Sequence, residues 1–292
     1  MSPPVQPVAS DDKLPAAADV VVIGAGIAGC TAAYELAKKG HKVALLDKGR
    51  VGGEQTSRNW GWVRQQHRDL RELPLSMTSL QIWGGLNEEI GAETGFRRTG
   101  LVYVTTRPAD FAQWEAWTLK AREYQMHTKV LTPAEAKALT PGSLPDWIGG
   151  VHSTTDGKAE PSLAGPAIAE AARKRGATIH QDCAARGLET AAGKVSGVIT
   201  EKGTIRTQAV LLAGGAWSGL FCRRHGLRLP QAGVKSTSFS TEAAPEVTPG
   251  GLSMPDVTIR RRLDGGYTVG LGGRGLVELS PQGVMYARDF WP

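Results

Sequence analysis

The sequence predicts an α/β fold in which a mainly parallel sheet with its helices is joined to a second, antiparallel-sheet α+β domain. Three observations carry this. Two apolar runs, Val20-Val21-Val22-Ile23 and Val43-Ala44-Leu45-Leu46, flank one stretch of helical periodicity. A third run, Ala209 to Ala213, follows much later and stops at Gly214-Gly215. The region after 230 alternates apolar and polar residues around a Gly-Gly turn. Continuous apolar runs suit strands buried on both faces of a parallel sheet, whereas alternation suits a half-buried antiparallel one.

The first run ends at Gly24. From Ile27 the apolar residues Ile27, Cys30, Ala33, Tyr34 and Ala37 recur at helical spacing, and Lys38-Lys39-Gly40 closes the helix with cations and a glycine. The second run follows, so 19–47 reads as a strand–helix–strand unit with a right-handed crossover. Residues 49–61 read as a Gly-rich loop, 69–91 as a helix, 97–105 as a strand and 108–125 as an amphipathic helix carrying Trp114 and Trp117. Thr132-Pro133-Ala134-Glu135 is a helix start, with proline first and an acid three after the cap. A helix over 162–175 follows, then a strand at 178–181 and a hairpin pair at 195–200 and 203–207. A further hairpin, 258–263 with 267–270, turns at Asp264-Gly265-Gly266.

Composition narrows the function classes. The 41% hydrophobic and 21% charged residues describe an ordinary globular chain, but 37 glycines among 292 residues exceed the usual share of about 7%. The net charge of +6 is spread out. Its densest runs, Arg260-Arg261-Arg262 and Arg223-Arg224, are too short for a nucleic-acid arm. Three distant cysteines form neither a disulfide framework nor a metal motif, the histidines are scattered, and no metal site is expected; reduced thiols point to a cytoplasmic protein. The first 17 residues lack the pattern of a signal peptide and read as a disordered leader. No window approaches the roughly 20 apolar residues of a membrane span.

Gly24-Ala25-Gly26-Ile27-Ala28-Gly29 matches G-x-G-x-x-G directly between a strand and a helix. Gly24 permits the tight turn, Gly26 lets backbone approach a pyrophosphate, and Gly29 lets helix and strand pack closely. The helix N-terminus supplies N–H groups and the positive end of its dipole. Asp47 ends the second strand, at the interval of roughly 20 residues where an acid binds ribose hydroxyls and disfavours a 2′-phosphate. The alternative is a glycine turn that holds nothing. With strand, glycines, helix and acid in register, a Rossmann-like dinucleotide-binding domain is the stronger reading.

The choice between NAD and FAD rests on two further segments, Gly52-Gly53-Glu54-Gln55-Thr56-Ser57-Arg58-Asn59-Trp60-Gly61 and Leu212-Ala213-Gly214-Gly215-Ala216-Trp217-Ser218. An NAD enzyme has little use for the first. Four landmarks occur in order: 20–49, TSRNWG at 56–61, DGKAEP at 156–161 and LLAGGAWS at 211–218. On these the sequence resembles the D-amino-acid oxidase-like FAD-dependent oxidoreductases, a group that includes glycine and sarcosine oxidases and D-amino-acid dehydrogenases. The resemblance runs from about Ala18 to about Gly273.

The resemblance implies FAD, with Gly24, Ala25, Gly26, Ile27, Ala28 and Gly29 on its pyrophosphate and Asp47 and Lys48 on the adenosine side. Thr56, Ser57, Arg58 and Asn59 would line the pyrophosphate and the flavin edge. Ala185 would meet the adenine through its backbone, and Ala213, Gly214 and Trp217 would pack near the dinucleotide. Relatives that attach FAD covalently carry a histidine where this chain has Glu54-Gln55, so FAD is expected to be non-covalent. The implied reaction is oxidation of an amino acid or secondary amine by hydride transfer from the α-carbon to flavin N5, with oxygen or a quinone as acceptor.

A substrate carboxylate calls for a bidentate arginine. Arg64, just after the flavin-facing loop, is the first candidate. Arg261, on a strand face with Val257, Ile259 and Leu263, is the second. A surface or phosphate-pairing arginine is the alternative for each. Trp60 and Trp62 either wall the active site or pack a core.

Residues 18–95 and 152–230 are expected to form the FAD-binding domain, and 96–151 with 231–292 the substrate domain. The Gly-, Pro- and Asp-rich closing segment of the family is not found after the last hairpin. A catalytically incomplete FAD-binding fragment, or a subunit completed by a complementary C-terminal polypeptide, is therefore the other reading.

Overall fold

The computed structural model describes residues 3–272 and 275–290. Met1 and Ser2 of the expected leader, Gly273 at the end of the family resemblance, and Trp291 and Pro292 at the end of the expected substrate domain lie outside the described residues. The chain divides into two compact units, and each follows on its own terms.

One unit comprises residues 4–58, 161–235 and 276–292. Its centre is a four-stranded parallel sheet in the order Ala209–Leu212, Val20–Ile23, Val43–Leu46, Thr178–His180. These are the apolar runs of the sequence, and Val43–Leu46 is buried along its whole length. Helix Ile27–Lys38 crosses over between the first two strands and buries Gly29, Cys30, Ala33, Tyr34 and Ala37. Helix Pro161–Lys174 buries an alanine-rich face. A three-stranded antiparallel sheet of Ala185–Ala191, Lys194–Thr200 and Gly203–Arg206 closes the core, where Val198 and Ile205 meet Val21, Ile23, Ala44 and Leu46.

The leader is not free. Gln6 N–H donates to Ser162 O at 3.0 Å, Asp11 N–H to Ile179 O at 2.7 Å, and Ile179 N–H to Asp11 Oδ2 at 2.8 Å. Gln181 Nε2 donates to Val8 O, Leu14 packs on the core, and Ala17 bridges Arg206. The segment lies along the edge strand Thr178–His180, whose unpaired backbone groups would otherwise need partners.

The other unit comprises residues 1–3, 59–160 and 236–275. Its seven-stranded sheet runs Ser238–Ala243, Gly266–Leu271, Val257–Arg261, Gly251–Ser253, Leu101–Thr105, Gly149–Ser153, Thr128–Leu131. All neighbours are antiparallel except the parallel pair of Gly251–Ser253 with Leu101–Thr105. Thr132 caps helix Pro133–Ala138 in a complete capping box with Glu135, as the sequence predicts.

The domain boundaries differ from expectation. Residues 59–95 and 152–160 belong to the seven-stranded unit, because Trp62–Val63 pairs with Gly157–Lys158 and helix Leu73–Ile90 packs Leu80 against Phe96 and Ala159. Residues 276–290 belong with the four-stranded unit, where Leu276–Val277 pairs with Val234–Lys235. Both corrections come from pairings distant in sequence, which local patterning does not encode.

Candidate functional site

In the four-stranded unit the glycine turn is built by crowding. Gly24 has φ +105° and a Cβ there would lie 2.4 Å from Ala213 O. A Cβ on Gly29 would lie 1.8 Å from Gly24 O. Neither position admits a side chain. Gly26 meets only Thr56 Oγ1 at 3.1 Å, so its missing Cβ opens room rather than relieving a clash. Gly26 is also the N-cap of helix Ile27–Lys38. It supplies no side-chain acceptor and no acid stands in the first turn, so the groups that meet the helix start come from elsewhere in the chain.

Two groups converge on this turn. Asp47 Oδ2 accepts the Ala25 N–H at 2.7 Å and its Oδ1 accepts the Gly49 N–H at 2.8 Å. Each carboxylate oxygen retains accepting capacity for a ribose hydroxyl. Thr56 Oγ1 accepts the Ile27 N–H at 2.9 Å, which brings the second glycine-rich segment onto the helix start. Part of that segment is the short helix Gln55–Arg58 rather than loop. Ser57 Oγ turns back to Glu54 O, and Arg58 pairs with Glu54 at 3.4 Å. The open glycine turn with the Asp47 carboxylate beside it fits the pyrophosphate and ribose of a dinucleotide.

Lys48 lies over the Trp217 ring, Nζ 4.1 Å from the centroid, and reaches Glu54 at 2.6 Å. Ala213 backs the glycine turn, Gly214 packs beside Ser218, and Ala185 opens its strand against the core around Ile23 and Leu46. Cys30 is buried beneath the turn, and burial pushes its thiol up to about 12, so it is a neutral packing group.

In the seven-stranded unit, Trp60 and Trp62 meet edge to face at 5.5 Å, Trp62 lies 5.9 Å from Tyr103, and Tyr103 5.7 Å from Trp114. Two strand glycines make room for the indoles. A Cβ on Gly270 would be 2.4 Å from Trp60 Nε1, and one on Gly251 2.5 Å from Trp62 Nε1. Asn59 Oδ1 accepts the Gly61 N–H at 2.6 Å and holds the bend between the tryptophans.

Arg64 is half-buried. Its Nη1 donates to Gln66 O, its guanidinium stands beside the Tyr103 hydroxyl, and its charge reaches the buried Asp156 carboxyl. No carboxylate lies within 4.0 Å of it among the described residues. Asp156 is fully buried and accepts the N–H groups of Gln65 and Gln66 at 3.0 and 3.1 Å. Burial raises its carboxyl to about 6, and those amides work against the rise. Burial also lifts the Tyr103 hydroxyl to about 12, and burial with nearby Arg64 holds His67 below its ordinary value. The cluster presents a cation and a neutral hydroxyl side by side, a donor pair for an anion.

Arg261 is not part of that cluster. Its Nη1 lies 2.7 Å from Glu246 Oε2, and its backbone oxygen accepts from Lys158 Nζ at 2.8 Å. The expected anomaly of a charge on a buried strand face belongs to its neighbour. Val257, Ile259 and Arg261 occupy the half-exposed face, whereas Thr258 and Arg260 point inward. Arg260 is 2% exposed and bidentate to Glu160. Sequence reasoning missed Arg260, Glu160, Asp156 and Tyr103. The DGKAEP segment was visible as a landmark, but which of its acids turn inward depends on partners far along the chain.

The profile of a family described as FAD dependent oxidoreductase (DAO) matches residues 19–289. Human mitochondrial sarcosine dehydrogenase is 30% identical over 237 residues, covering 78% of this chain and 26% of that protein. Pseudomonas aeruginosa glycine oxidase is 30% identical over 241 residues, covering 79% of this chain and 64% of that protein. Among solved structures, the L-amino acid deaminase from Proteus myxofaciens in complex with anthranilate superposes with a TM-score of 0.93 at 31% identity, over 99% of this chain and 66% of that one. The chain thus spans about a quarter of the sarcosine dehydrogenase and about two-thirds of the deaminase.

Proposed function

Because the chain belongs to the FAD dependent oxidoreductase family, we propose that it holds FAD non-covalently at the 24–29 turn and oxidises an amino acid or secondary amine. The observation that carries this is the turn itself: three glycines at a helix start, with Asp47 accepting the Ala25 N–H and Thr56 the Ile27 N–H. Bound FAD would supply acceptance of a hydride from the substrate α-carbon, with oxygen or a quinone as the final acceptor. Everything else is positioning by the chain.

In this reading Gly26 and the helix N–H groups receive the pyrophosphate, and Asp47 the ribose hydroxyls. Lys48 and Trp217 flank the adenosine end, and Thr56, Ser57, Arg58 and Asn59 line the path toward the flavin. Glu54-Gln55 offers no histidine for covalent attachment. Arg64 receives the substrate carboxylate, with the Tyr103 hydroxyl as a second donor; the Asp156-anchored turn that follows Arg64 presets its backbone. Trp60 and Trp62 form an apolar wall that excludes water. Arg261, already paired with Glu246, is the weaker claimant for the carboxylate. The four-stranded unit is assigned to the cofactor and the seven-stranded unit to the substrate.

Acid denaturation of the yellow protein tests the binding mode. Flavin absorbance that passes entirely into the supernatant supports non-covalent FAD, and flavin that stays with the precipitated chain overturns it.

One observation favours a second reading, in which the chain works as a subunit of a split flavoenzyme. Leu276, Val277, Val284, Met285 and Phe290 are each more than half exposed, and Leu279 is 95% exposed, all within one segment. Apolar side chains concentrated in this way mark a surface that another polypeptide covers. Co-purification of a second chain that restores amine-dependent flavin reduction would support this reading.

A further inference from the structure

The seven-stranded unit carries a pocket of about 450 Å3 that the proposed oxidation does not use. It lies at the edge strand Thr128–Leu131, and its walls include Arg122, His127, Thr128, Lys129, His152 and Thr154. No Asp or Glu lines it among the described residues. Its volume is in the range of sites that take small molecules, far above the roughly 30 Å3 of one water.

The charges are arranged for an anion. Lys129 and His152 face each other across the strand pair, so a proton on His152 would set two cations side by side. Burial and Lys129 together hold His152 below its ordinary value. Glu135 lies 2.6 Å from Lys129 Nζ and neutralises part of its charge, leaving Arg122 with no carboxylate within 4.0 Å among the described residues. Thr154 adds a hydroxyl donor. Gln125, at the bend into the strand, holds a left-handed φ of 60° although it is not a glycine, the kind of local strain that persists where surrounding structure enforces it.

One further group lies under the pocket. Gln66 is fully buried, its Oε1 accepts from Thr128 Oγ1 at 2.7 Å, and its Nε2 has no partner among the described residues. A buried amide donor left unpaired costs about 1–3 kcal/mol. Gln66 thereby joins the pocket wall to Arg64, whose guanidinium donates to Gln66 O.

We propose that this pocket is a binding site for a phosphate-class dianion, carried either as the free ion or as a monoester on a small molecule. Arg122 and Lys129 supply the charge, and the Thr154 hydroxyl and the histidine rings supply the remaining contacts. The inference is independent of flavin binding and amine oxidation, and its test needs neither.

Sodium phosphate and, separately, ribose 5-phosphate are titrated into the full chain at constant ionic strength, and the histidine ring resonances are followed by NMR. The expected result is saturable shifts of His127 and His152 while His41 stays still. The Arg122→Gln/Lys129→Gln variant, altered only at exposed side chains, binds at least tenfold more weakly with an unchanged melting curve. Tighter binding of ribose 5-phosphate identifies the monoester as the ligand form, and equal binding identifies the free ion. Shifts that never saturate, or saturable shifts that persist unchanged in the variant, overturn the proposal.

Discussion

Arg260 and Glu160 form a bidentate ion pair inside the seven-stranded unit, with Nη1 and Nη2 at 2.7 and 3.1 Å from the two carboxylate oxygens and both side chains buried. The Leu263 N–H and the Thr268 hydroxyl join the network, while the buried Arg260 Nε has no partner among the described residues. Removing one partner of such a pair leaves a buried charge uncompensated, at a cost of about 3–5 kcal/mol. Glu160→Gln is therefore expected to lower the denaturant midpoint steeply. The paired change Glu160→Leu/Arg260→Met should lose less than Glu160→Gln alone. Equal losses would show that the charge pairing is not what matters there.

Gly26 separates cofactor binding from folding. A Cβ there meets only the Thr56 hydroxyl, at 3.1 Å, whereas one on Gly24 or Gly29 would enter backbone. Gly26→Ala is expected to leave the apoprotein melting temperature nearly unchanged. It should abolish the rise in melting temperature that FAD produces by binding the native state. Gly29→Ala is expected to compromise the fold itself.

Asp156 sets a pH dependence of stability. Its carboxyl is raised by burial from 3.8 to about 6, so the folded chain holds this proton more tightly than the unfolded chain. The stabilisation is fully present below pH 3.8 and is lost as pH rises through about 6. Relative to Asp156→Asn, the wild-type unfolding free energy should fall across that window by on the order of 3 kcal/mol. Parallel curves for the two proteins between pH 4 and 7 would contradict the assignment.

Arg64 is expected to act on substrate affinity. Lysine keeps the charge but not the planar fork. Arg64→Lys should raise KM for a carboxylate-bearing amine by about tenfold or more, with a smaller effect on kcat, and should leave the FAD-induced stabilisation intact. A variant with unchanged KM would shift the carboxylate role to Arg261.

The parallel sheet and its glycine turn were legible in the sequence because both are local. Val20–Ile23, Val43–Leu46 and Ala209–Leu212 are continuous apolar runs, and the helix between the first two carries its own periodicity and closing signal. The Thr132 capping box and the hairpin of Val257–Arg261 with Gly266–Leu271 were legible for the same reason. What escaped depends on partners distant in sequence. Alternation along Val257–Arg261 defines two faces but not which is buried. Glu160, a hundred residues upstream, makes Arg260 the inward one. The leader reads as polar and Pro-rich, yet the exposed edge at Thr178–His180 gives its backbone somewhere to bind. The pairing of Trp62–Val63 with Gly157–Lys158 moved a domain boundary that was expected near residue 95.

The most direct test of the account is the absorption spectrum of the purified chain, reconstituted with FAD and recorded before and after anaerobic addition of an amino-acid pool. The account predicts bound-flavin bands that bleach on addition of the pool. A chain that binds no flavin after reconstitution would contradict the assignment of the 24–29 turn. Bound flavin that stays oxidised would contradict the proposal that this chain alone oxidises an amine.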